Sequence, residues 1–227
     1  MITEKDNQVN CVAYDPTGLQ FATGGSDTTV RVYDGAKHVL RFSGENGQPE
    51  VSAGHTNMIY AVKFHPTDPN ILISGGWDNT IQVWDTRAPR SVKSIFGPHV
   101  CGESIDFNHD GTKIITGSHS NNDVLHVYDF PSGTSLGPIN WSRTKSLNRY
   151  CPLYTLRTVH GQTRPDLFKM PEITDPNVIP HQHEPFLESI VIAGGGPGEG
   201  NSGGNEIRVF NLANRQVSLF ISSTSFD

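Results

Sequence analysis

The sequence predicts an all-β fold, because short apolar runs alternate with turn-forming residues along most of its 227 residues. Its 23 glycines and 15 prolines predict frequent turns, yet they stay below the share typical of low-complexity chains. No segment carries a sustained helical period of apolar residues. One strand-turn-strand template also recurs along the chain at an interval typical of propeller arrays.

The most complete copy of the template lies at residues 71–87. Two apolar runs flank a turn formed by Gly75-Gly76 and Asp78-Asn79, which is a β-hairpin signal. The second run ends in Trp84, whose indole N–H needs a partner because a buried unpaired donor costs roughly 1–3 kcal/mol. Ser74, Asp78 and the upstream His55 are the nearby candidates.

Further copies lie at residues 11–34 and 104–129, and a degraded fourth copy ends at Asn211. The aspartates that end the first three copies are 51 and 44 residues apart, within the range of propeller repeats. Weaker runs suited to outer strands follow each copy at 38–42, 91–96, 135–141 and 216–222. We therefore expect a single domain over residues 1–227, with units at about 8–48, 51–97, 98–142 and 150–222 and a proline-rich surface loop at about 161–185.

Composition excludes several classes of protein. The net charge of −6 argues against a general nucleic-acid binder, which would carry a basic surface. The three cysteines, Cys11, Cys101 and Cys151, are widely spaced and odd in number, which favours reduced intracellular thiols. No apolar run approaches the ~18 residues of a membrane span, and the first residues carry no signal-peptide pattern. We expect a cytoplasmic or nuclear protein that does not bind membranes.

With these residues in view, the chain resembles WD40-repeat β-propeller proteins over essentially residues 9–222. The resemblance implies four-stranded antiparallel blades, each with a buried His, Asp, Ser or Thr, and Trp linked by hydrogen bonds. Only the second unit matches at all four positions, which are His55, Ser74, Asp78 and Trp84.

The other units depart from this pattern. The first has Thr23 and Asp27 but no preceding Gly-His, so its network is expected to be incomplete. The third offers His99 and Thr116, with a longer turn. In the fourth, Ala193 and Phe210 replace the hydroxyl and the indole, so no polar network is expected there.

Four units predict an incomplete propeller arc, since propellers of this family usually have seven blades. The missing part would be supplied by a further segment of a longer chain or by another molecule.

Three patterns that suggest chemistry have simpler structural interpretations. The His55, Ser74 and Asp78 set looks like a hydrolase triad, but its spacing is already explained by the structural network. The glycine-rich segment 194–204 leads into a strand and lacks Gly-Lys-Ser/Thr, so it is interpreted as a lengthened hairpin turn and not a phosphate loop. His181, His183 and Glu184 lack further well-spaced metal ligands. We expect no enzymatic activity, no metal and no cofactor.

Binding of a protein or peptide is therefore the main functional hypothesis. The resemblance implies a narrow top face lined by residues near the Gly-His loop and the hairpin aspartate. The candidates at these positions are Met58, Tyr60 and Trp77 in the second unit, Gln8, Asn10 and Ser26 in the first, and Glu103 and His119 in the third. Trp77 and Tyr60 lead because aromatic residues are enriched at binding hot spots.

One alternative stays open within the binding class. Trp84-Asp85-Thr86-Arg87 fits the Trp-Asp-x-Arg box of WD40 substrate receptors of cullin-RING ubiquitin ligases, with Arg87 as the key residue. Arg87 could equally form a surface salt bridge. A hydrolase remains the alternative from another class.

Overall fold

The computed structural model describes residues 2–35, 37–42, 54–118, 125–139, 153–155, 190–195, 206–211 and 216–222, with side chains in 2–35, 54–118 and 125–139. These residues form 16 strands in four antiparallel four-stranded sheets, which we call blades 1 to 4. The described ranges contain no helix, and so none that is long and apolar enough to cross a membrane. The predicted all-β fold of four-stranded blades is confirmed.

The strands follow the chain from the inner to the outer position of each blade. Blade 1 comprises β1 (Val9–Tyr14), β2 (Gln20–Gly25), β3 (Val30–Asp34) and β4 (Lys37–Phe42). Blade 2 comprises β5 (Ile59–Phe64), β6 (Ile71–Gly76), β7 (Thr80–Asp85) and β8 (Ser91–Phe96). Blade 3 comprises β9 (Ile105–Phe107), β10 (Lys113–Gly117), β11 (Leu125–Asp129) and β12 (Ser135–Ile139). Blade 4 comprises β13 (Leu153–Thr155), β14 (Ile190–Gly195), β15 (Glu206–Asn211) and β16 (Gln216–Ser222).

The insertion of the fourth unit falls between β13 and β14. The predicted loop at about 161–185 lies outside the described residues. Gly194 and Gly195 end β14, and the rest of the glycine-rich segment also lies outside them.

Side chains alternate between the two faces of a strand, and in blades 1 to 3 apolar residues occupy both faces. We call the face turned toward the next blade in the chain the forward face and the opposite one the backward face. The forward face of blade 1, with Ala22 and Val32, packs against Phe64 and Leu72 of the backward face of blade 2. The forward face of blade 2 packs in the same way on the backward face of blade 3. The core therefore lies between the blades.

Glycine allows the blades to approach closely at one register position. A Cβ atom at Gly24 in blade 1 would lie 2.6 Å from Cγ2 of Ile59, and one at Gly75 in blade 2 would lie 2.9 Å from Cγ2 of Val100. Contacts that short do not occur between carbon atoms, so a side chain at either position would push the neighbouring segment away.

The antiparallel pairing gives every blade two distinct ends. The top face is the end that carries the connection into the inner strand and the turn between the second and third strands, namely residues 7–8, 26–28, 56–58, 77–79 and 97–104. The bottom face is the opposite end, with residues 15–19, 65–70, 85–90 and 108–112. Segments of neighbouring blades meet at both ends, since Val100 N–H donates to Gly76 O at 3.2 Å and a His65 ring nitrogen lies 3.2 Å from Gly111 O.

The packing between blades predicts a position-dependent cost of removing apolar side chains. Leu72 is fully buried between blades 1 and 2, so Leu72→Ala should lower the free energy of unfolding by about 2–5 kcal/mol through lost burial and a cavity. The matched change Leu136→Ala, at an exposed position of the outer strand β12, should cost about 0.5 kcal/mol or less. Urea denaturation measures both, and equal costs would contradict packing between blades as the source of stability.

Candidate protein-binding site

The four polar residues of the second unit form one hydrogen-bonded chain inside blade 2. The indole N–H of Trp84 donates to Ser74 Oγ at 2.7 Å. Ser74 Oγ lies 2.6 Å from His55 Nε2, and His55 Nδ1 lies 2.8 Å from Asp78 Oδ2. A hydroxyl that accepts from the indole can donate its own proton to Nε2, which leaves the Nδ1 proton for Asp78. Each buried polar side chain in this series therefore has a hydrogen-bond partner.

Asp78 anchors the outer end of this chain at the top face. Burial by itself raises the pKa of Asp78, but the hydrogen bond and charge of His55, with hydrogen bonds from Thr56 and Thr80, outweigh it and lower the pKa. The backbone N–H groups of Thr56 and Thr80 donate to Asp78 at 3.0 and 3.1 Å. The carboxylate therefore joins the loop before β5 to the turn after β6.

The Ser-His-Asp set in this chain is enclosed. Ser74 is fully buried and His55 nearly so, and the Ser74 hydroxyl already accepts from Trp84. A catalytic nucleophile must be open to a substrate carbonyl. These three residues brace the blade and have no route to a substrate.

Blade 1 has a different polar network, centred on Glu4. One carboxylate oxygen accepts from Thr23 Oγ1 at 2.6 Å and from the Tyr33 hydroxyl at 2.9 Å. The other accepts from Arg31 Nη1 at 3.0 Å, and Arg31 also forms a salt bridge with Asp27. Glu4 thus links Thr23, Tyr33 and, through Arg31, the turn aspartate Asp27. The corresponding residues of blade 2 are Ser74, Trp84 and Asp78, which His55 connects.

Blade 1 thus lacks the histidine and tryptophan of the network in blade 2, and the Glu4 network takes their place. Arg31 occupies the register position that Gln82 occupies in blade 2, opposite Thr23 and Ser74 respectively. A largely buried guanidinium needs a negative partner, and the carboxylates of Glu4 and Asp27 provide it. Burial raises the pKa of Glu4, but hydrogen bonds from Thr23, Asn7 and Tyr33 and the charge of Arg31 lower it overall.

In blade 3 the predicted pairing of His99 with Thr116 is not formed. His99 Nδ1 instead lies 2.8 Å from Asn79 Oδ1, in the turn of blade 2. His99 lies six positions before the first residue of β9, whereas His55 lies only four positions before the first residue of β5. The backbone N–H of Val100, next to His99, donates to Gly76 O of blade 2. The longer connection therefore carries the imidazole outward. Thr116 Oγ1 is buried and has no hydrogen-bond partner within the described part of the chain.

His99 instead joins a half-exposed aromatic cluster at the top face. Trp77, which is 40% exposed, stacks with Tyr60 at 5.3 Å between ring centroids and with His99 at 6.2 Å. The Tyr60 hydroxyl lies 3.7 Å from Met58 Sδ. We call Met58, Tyr60, Trp77 and His99 the top-face cluster.

Sequence reasoning missed Cys101 beside this cluster. Burial raises the pKa of the Cys101 thiol, and a hydrogen bond from Trp77 partly opposes this rise. The thiol therefore stays protonated at neutral pH and acts as a small apolar neighbour of the indole. The sequence shows only that Cys101 lies two residues after His99, in a loop that the repeat motif does not cover.

The remaining top-face candidates are less available to a partner. The Asn10 side-chain amide donates to Ile59 O at 3.0 Å and so ties blade 1 to blade 2. Ser26 Oγ accepts from Gln8 N–H at 3.0 Å and lies within the loop network of blade 1. Glu103 is exposed before β9, and His119 lies outside the described residues.

Arg87 lies on the bottom face, at the opposite end of β7 from Trp77. Its Nε and Nη2 both donate to the Asp85 carboxylate at 2.8 Å. This bidentate pair lowers the pKa of Asp85 and raises that of Arg87, in each case chiefly through the hydrogen bonds between them. The guanidinium is solvent-exposed but held against its own blade.

Two predicted features lie beyond these contacts. His181, His183 and Glu184 lie outside the described residues, and within those residues no group of three or more His, Cys, Asp or Glu side chains could hold a metal ion. The side chains of Ala193 and Phe210 also lie outside the described set.

Comparison with known proteins identifies repeats and relatives. The family model "WD domain, G-beta repeat" matches residues 2–34 and 48–85. The chain is 33% identical over 119 residues to nuclear distribution protein PAC1 of Komagataella phaffii, covering 52% of this chain and 22% of that protein. It is 30% identical over 162 residues to cleavage stimulation factor subunit 50 of Arabidopsis thaliana, covering 64% of this chain and 37% of that protein. The guanine nucleotide-binding protein subunit beta of the same plant is 31% identical over 138 residues, covering 60% and 35%.

The chain thus spans well under half the length of these three relatives. Among solved structures, a chain in the crystal structure of the mitotic checkpoint complex superposes with a TM-score of 0.65 at 15% identity. The match covers 98% of this chain and 53% of that one, and it supports the propeller-type fold.

The enclosed network of blade 2 predicts unequal effects of one substitution at two tryptophans. Trp84→Phe removes the donor to Ser74 and should lower the free energy of unfolding by about 1–3 kcal/mol. Trp77→Phe keeps an aromatic ring against Tyr60 and should cost about 0.5 kcal/mol or less. Chemical denaturation compares the two, and an equal loss would refute the division between a structural and an exposed tryptophan.

The Glu4 network predicts a pH-dependent contribution to stability. Because the pKa of folded Glu4 lies below its ordinary value of 4.5, the carboxylate stabilises the fold above that pH and loses this effect as the pH falls through its folded pKa. Glu4→Gln should therefore cost about 1–3 kcal/mol at pH 7 and progressively less below pH 4.5. The measurement is urea denaturation as a function of pH. Glu103→Gln, at an exposed carboxylate, serves as the control, and a constant cost of Glu4→Gln at every pH would contradict the assignment.

Proposed function

Because the chain belongs to the WD40-repeat family, we propose that it is a non-catalytic scaffold that binds a protein or peptide segment through its top face. WD40 proteins act in general as protein-interaction scaffolds. The observation that carries the proposal is the top-face cluster, where Trp77 remains 40% exposed beside Tyr60, Met58 and His99. A large apolar surface held at a fixed place is what a binding hot spot requires.

The cluster is ordered before any partner arrives. The backbone N–H of Trp77 donates to Met58 O at 3.0 Å, which fixes the turn after β6 against the loop before β5. Stacking restricts the indole of Trp77. The side-chain oxygen of Asn79 holds the His99 ring through its contact with Nδ1. A partner therefore gains contact area without ordering these side chains, which lowers the entropic cost of binding.

The chemistry of the cluster defines the partner in outline. An exposed indole edge, a thioether and a phenol favour an apolar or aromatic side chain, or a cationic one placed against a ring face. The net charge of −6 favours a neutral or basic segment over an acidic one. We further propose a place in the cytoplasm, the nucleus or both, and one relative is by name a nuclear distribution protein.

Selection from a random-peptide display library, followed by calorimetry with the synthetic selected peptide, tests the proposal. Trp77→Ala should weaken binding of that peptide about tenfold or more, as expected for a hot-spot residue. Arg87→Ala is the matched control on the bottom face and should leave binding unchanged. Peptides that bind Trp77→Ala as tightly as the unchanged chain would contradict a top-face site.

The same pair of variants tests the ubiquitin-ligase alternative. If the Trp-Asp-x-Arg box were the functional surface, a purified cullin adaptor would bind the unchanged chain and lose binding on Arg87→Ala, while Trp77→Ala would have no effect. The bidentate pairing of Arg87 with Asp85 supports the simpler role of a surface salt bridge. A hydrolase would need a nucleophile other than the enclosed Ser74.

A further inference from the structure

The outer edge of blade 2 is used neither by the packing between blades nor by the top-face cluster. β8 is the last strand of its sheet, and within the described residues it pairs with β7 alone. Gly97 N–H donates to Asn79 O at 2.9 Å, next to the paired residues Phe96 and Thr80. Hydrogen-bonded and non-hydrogen-bonded pairs alternate along antiparallel strands, so the backbone groups of Ser94 and Phe96 point away from β7. This edge can therefore accept a further strand.

The same edge presents apolar side chains to solvent. Phe96 is 78% exposed, the highest value among the large apolar side chains that the structure describes, and Val92 is 53% exposed. Lys93 and Ile95 instead turn toward blade 3, where both lie against Gly133. A strand laid along β8 would thus gain two apolar contacts, and cross-strand pairs with an aromatic or a β-branched residue stabilise a sheet.

The usual protection of an edge strand is weak in β8. Proteins protect such edges with a charged side chain, a proline or a bulge. The one charge within β8, Lys93, is directed at blade 3, where its ammonium donates to Phe130 O at 3.1 Å and to Pro131 O. The outer strand of blade 3 contains Pro138, which has no N–H to offer, whereas β8 contains no proline. The register shift of β8 is confined to its start, so residues 93–96 are regular.

Positive charge lies at the start of this edge. Arg90 directly precedes β8, is exposed and forms no salt bridge with any residue that the structure describes. Arg87 is already paired with Asp85. Residues 86–102 contain no acidic residue, although the whole chain carries a net charge of −6. Charge complementarity therefore favours a partner with a carboxylate at this end of the strand.

We propose that the outer edge of β8 binds an extended segment of another protein as a fifth, antiparallel strand of blade 2. The segment has one apolar residue facing Phe96, a second facing Val92 and an acidic residue near Arg90. Main-chain hydrogen bonds to the edge supply affinity, and these three side chains supply specificity. Antiparallel pairing fixes their order in the partner, where the apolar residues are four positions apart and the acidic residue follows two positions later. This site is separate from the top-face cluster.

A designed peptide tests the proposal by fluorescence anisotropy. The labelled probe is Ser-Gly-Val-Gln-Thr-Gln-Ile-Ser-Glu-Glu, in which the valine would face Phe96, the threonine Ser94, the isoleucine Val92 and the first glutamate Arg90. The full chain should bind it about tenfold more tightly than a peptide of the same composition in shuffled order. Equal affinity for the two peptides would overturn the proposal.

Substitutions on the protein locate the bound peptide. Phe96→Ala should weaken binding about tenfold, whereas Leu136→Ala, at an exposed apolar position of the outer strand β12, should leave it unchanged. Arg90→Glu should weaken binding about fivefold, and this loss should shrink as added salt screens the charges. Trp77→Ala should have no effect, which separates this site from the top-face site. If Phe96→Ala and Leu136→Ala bind the peptide alike, the edge of β8 is not the site.

Backbone methylation distinguishes strand addition from binding through side chains alone. In the proposed register the N–H of the peptide's threonine faces β8, and the N–H of the glutamine after it faces solvent. N-methylation of the threonine should weaken binding about tenfold, and N-methylation of that glutamine should preserve it. Ser94→Pro removes an outward N–H from the protein side and should have the effect of the methylated threonine, with the fold checked by circular dichroism. Equal affinities of the two methylated peptides would contradict strand addition.

A second copy of this chain is the competing occupant of the edge. Antiparallel pairing of β8 with itself about Ser94 would place Phe96 of each copy opposite Val92 of the other. It would also place Pro98, and no carboxylate, opposite Arg90. Sedimentation velocity without peptide should therefore give the same mass for the unchanged chain and for Phe96→Ala. A dimer that Phe96→Ala dissociates would assign the edge to self-association and overturn the proposal.

Discussion

Face-to-face packing of neighbouring blades joins blades 1, 2 and 3 through two buried apolar clusters. A four-stranded sheet with apolar residues on both faces cannot be stable alone in water, because it would expose rows such as Phe64, Leu72 and Ile73. Burial of each such side chain contributes about 1.5–3 kcal/mol. Glycine at positions 24 and 75 lets the next blade approach closely enough for this packing.

The polar networks complement that packing by fixing the ends of the strands. In blade 2 a series of hydrogen bonds from Trp84 through Ser74 and His55 reaches Asp78. In blade 1 an ionic arrangement around Glu4 and Arg31 links corresponding positions. Both orient a turn of the top face. In blade 2 that turn presents Trp77, so a largely buried network positions the residue on which the proposed binding depends.

The sequence predicts what short-range spacing controls and fails where long-range contacts decide. The hairpin of blade 2 and its four network residues follow from one local motif. Glu4 could not be found this way, because it is 27 residues from Arg31 and occupies no position of the repeat motif. The sequence did contain one signal, since a strand arginine opposite Thr23 needs a carboxylate partner. His99 matched the motif by type, but a longer loop moved its ring to Asn79. The sequence indicated that β1 is apolar, whereas the exposure of Tyr14 depends on which segment packs against that face of blade 1.

Blades 1 to 3 gain their stability from coverage by their neighbours, and within the described part of the chain blade 1 is covered on one face while Val12 and Tyr14 on the other are exposed. Hydrogen–deuterium exchange followed by mass spectrometry measures the protection that this coverage gives each strand. We expect the amides of β5 and β6, in a blade covered on both faces, to exchange more slowly than those of β1 and β2. Equal protection of the two pairs of strands, or greater protection of β1 and β2, would contradict it.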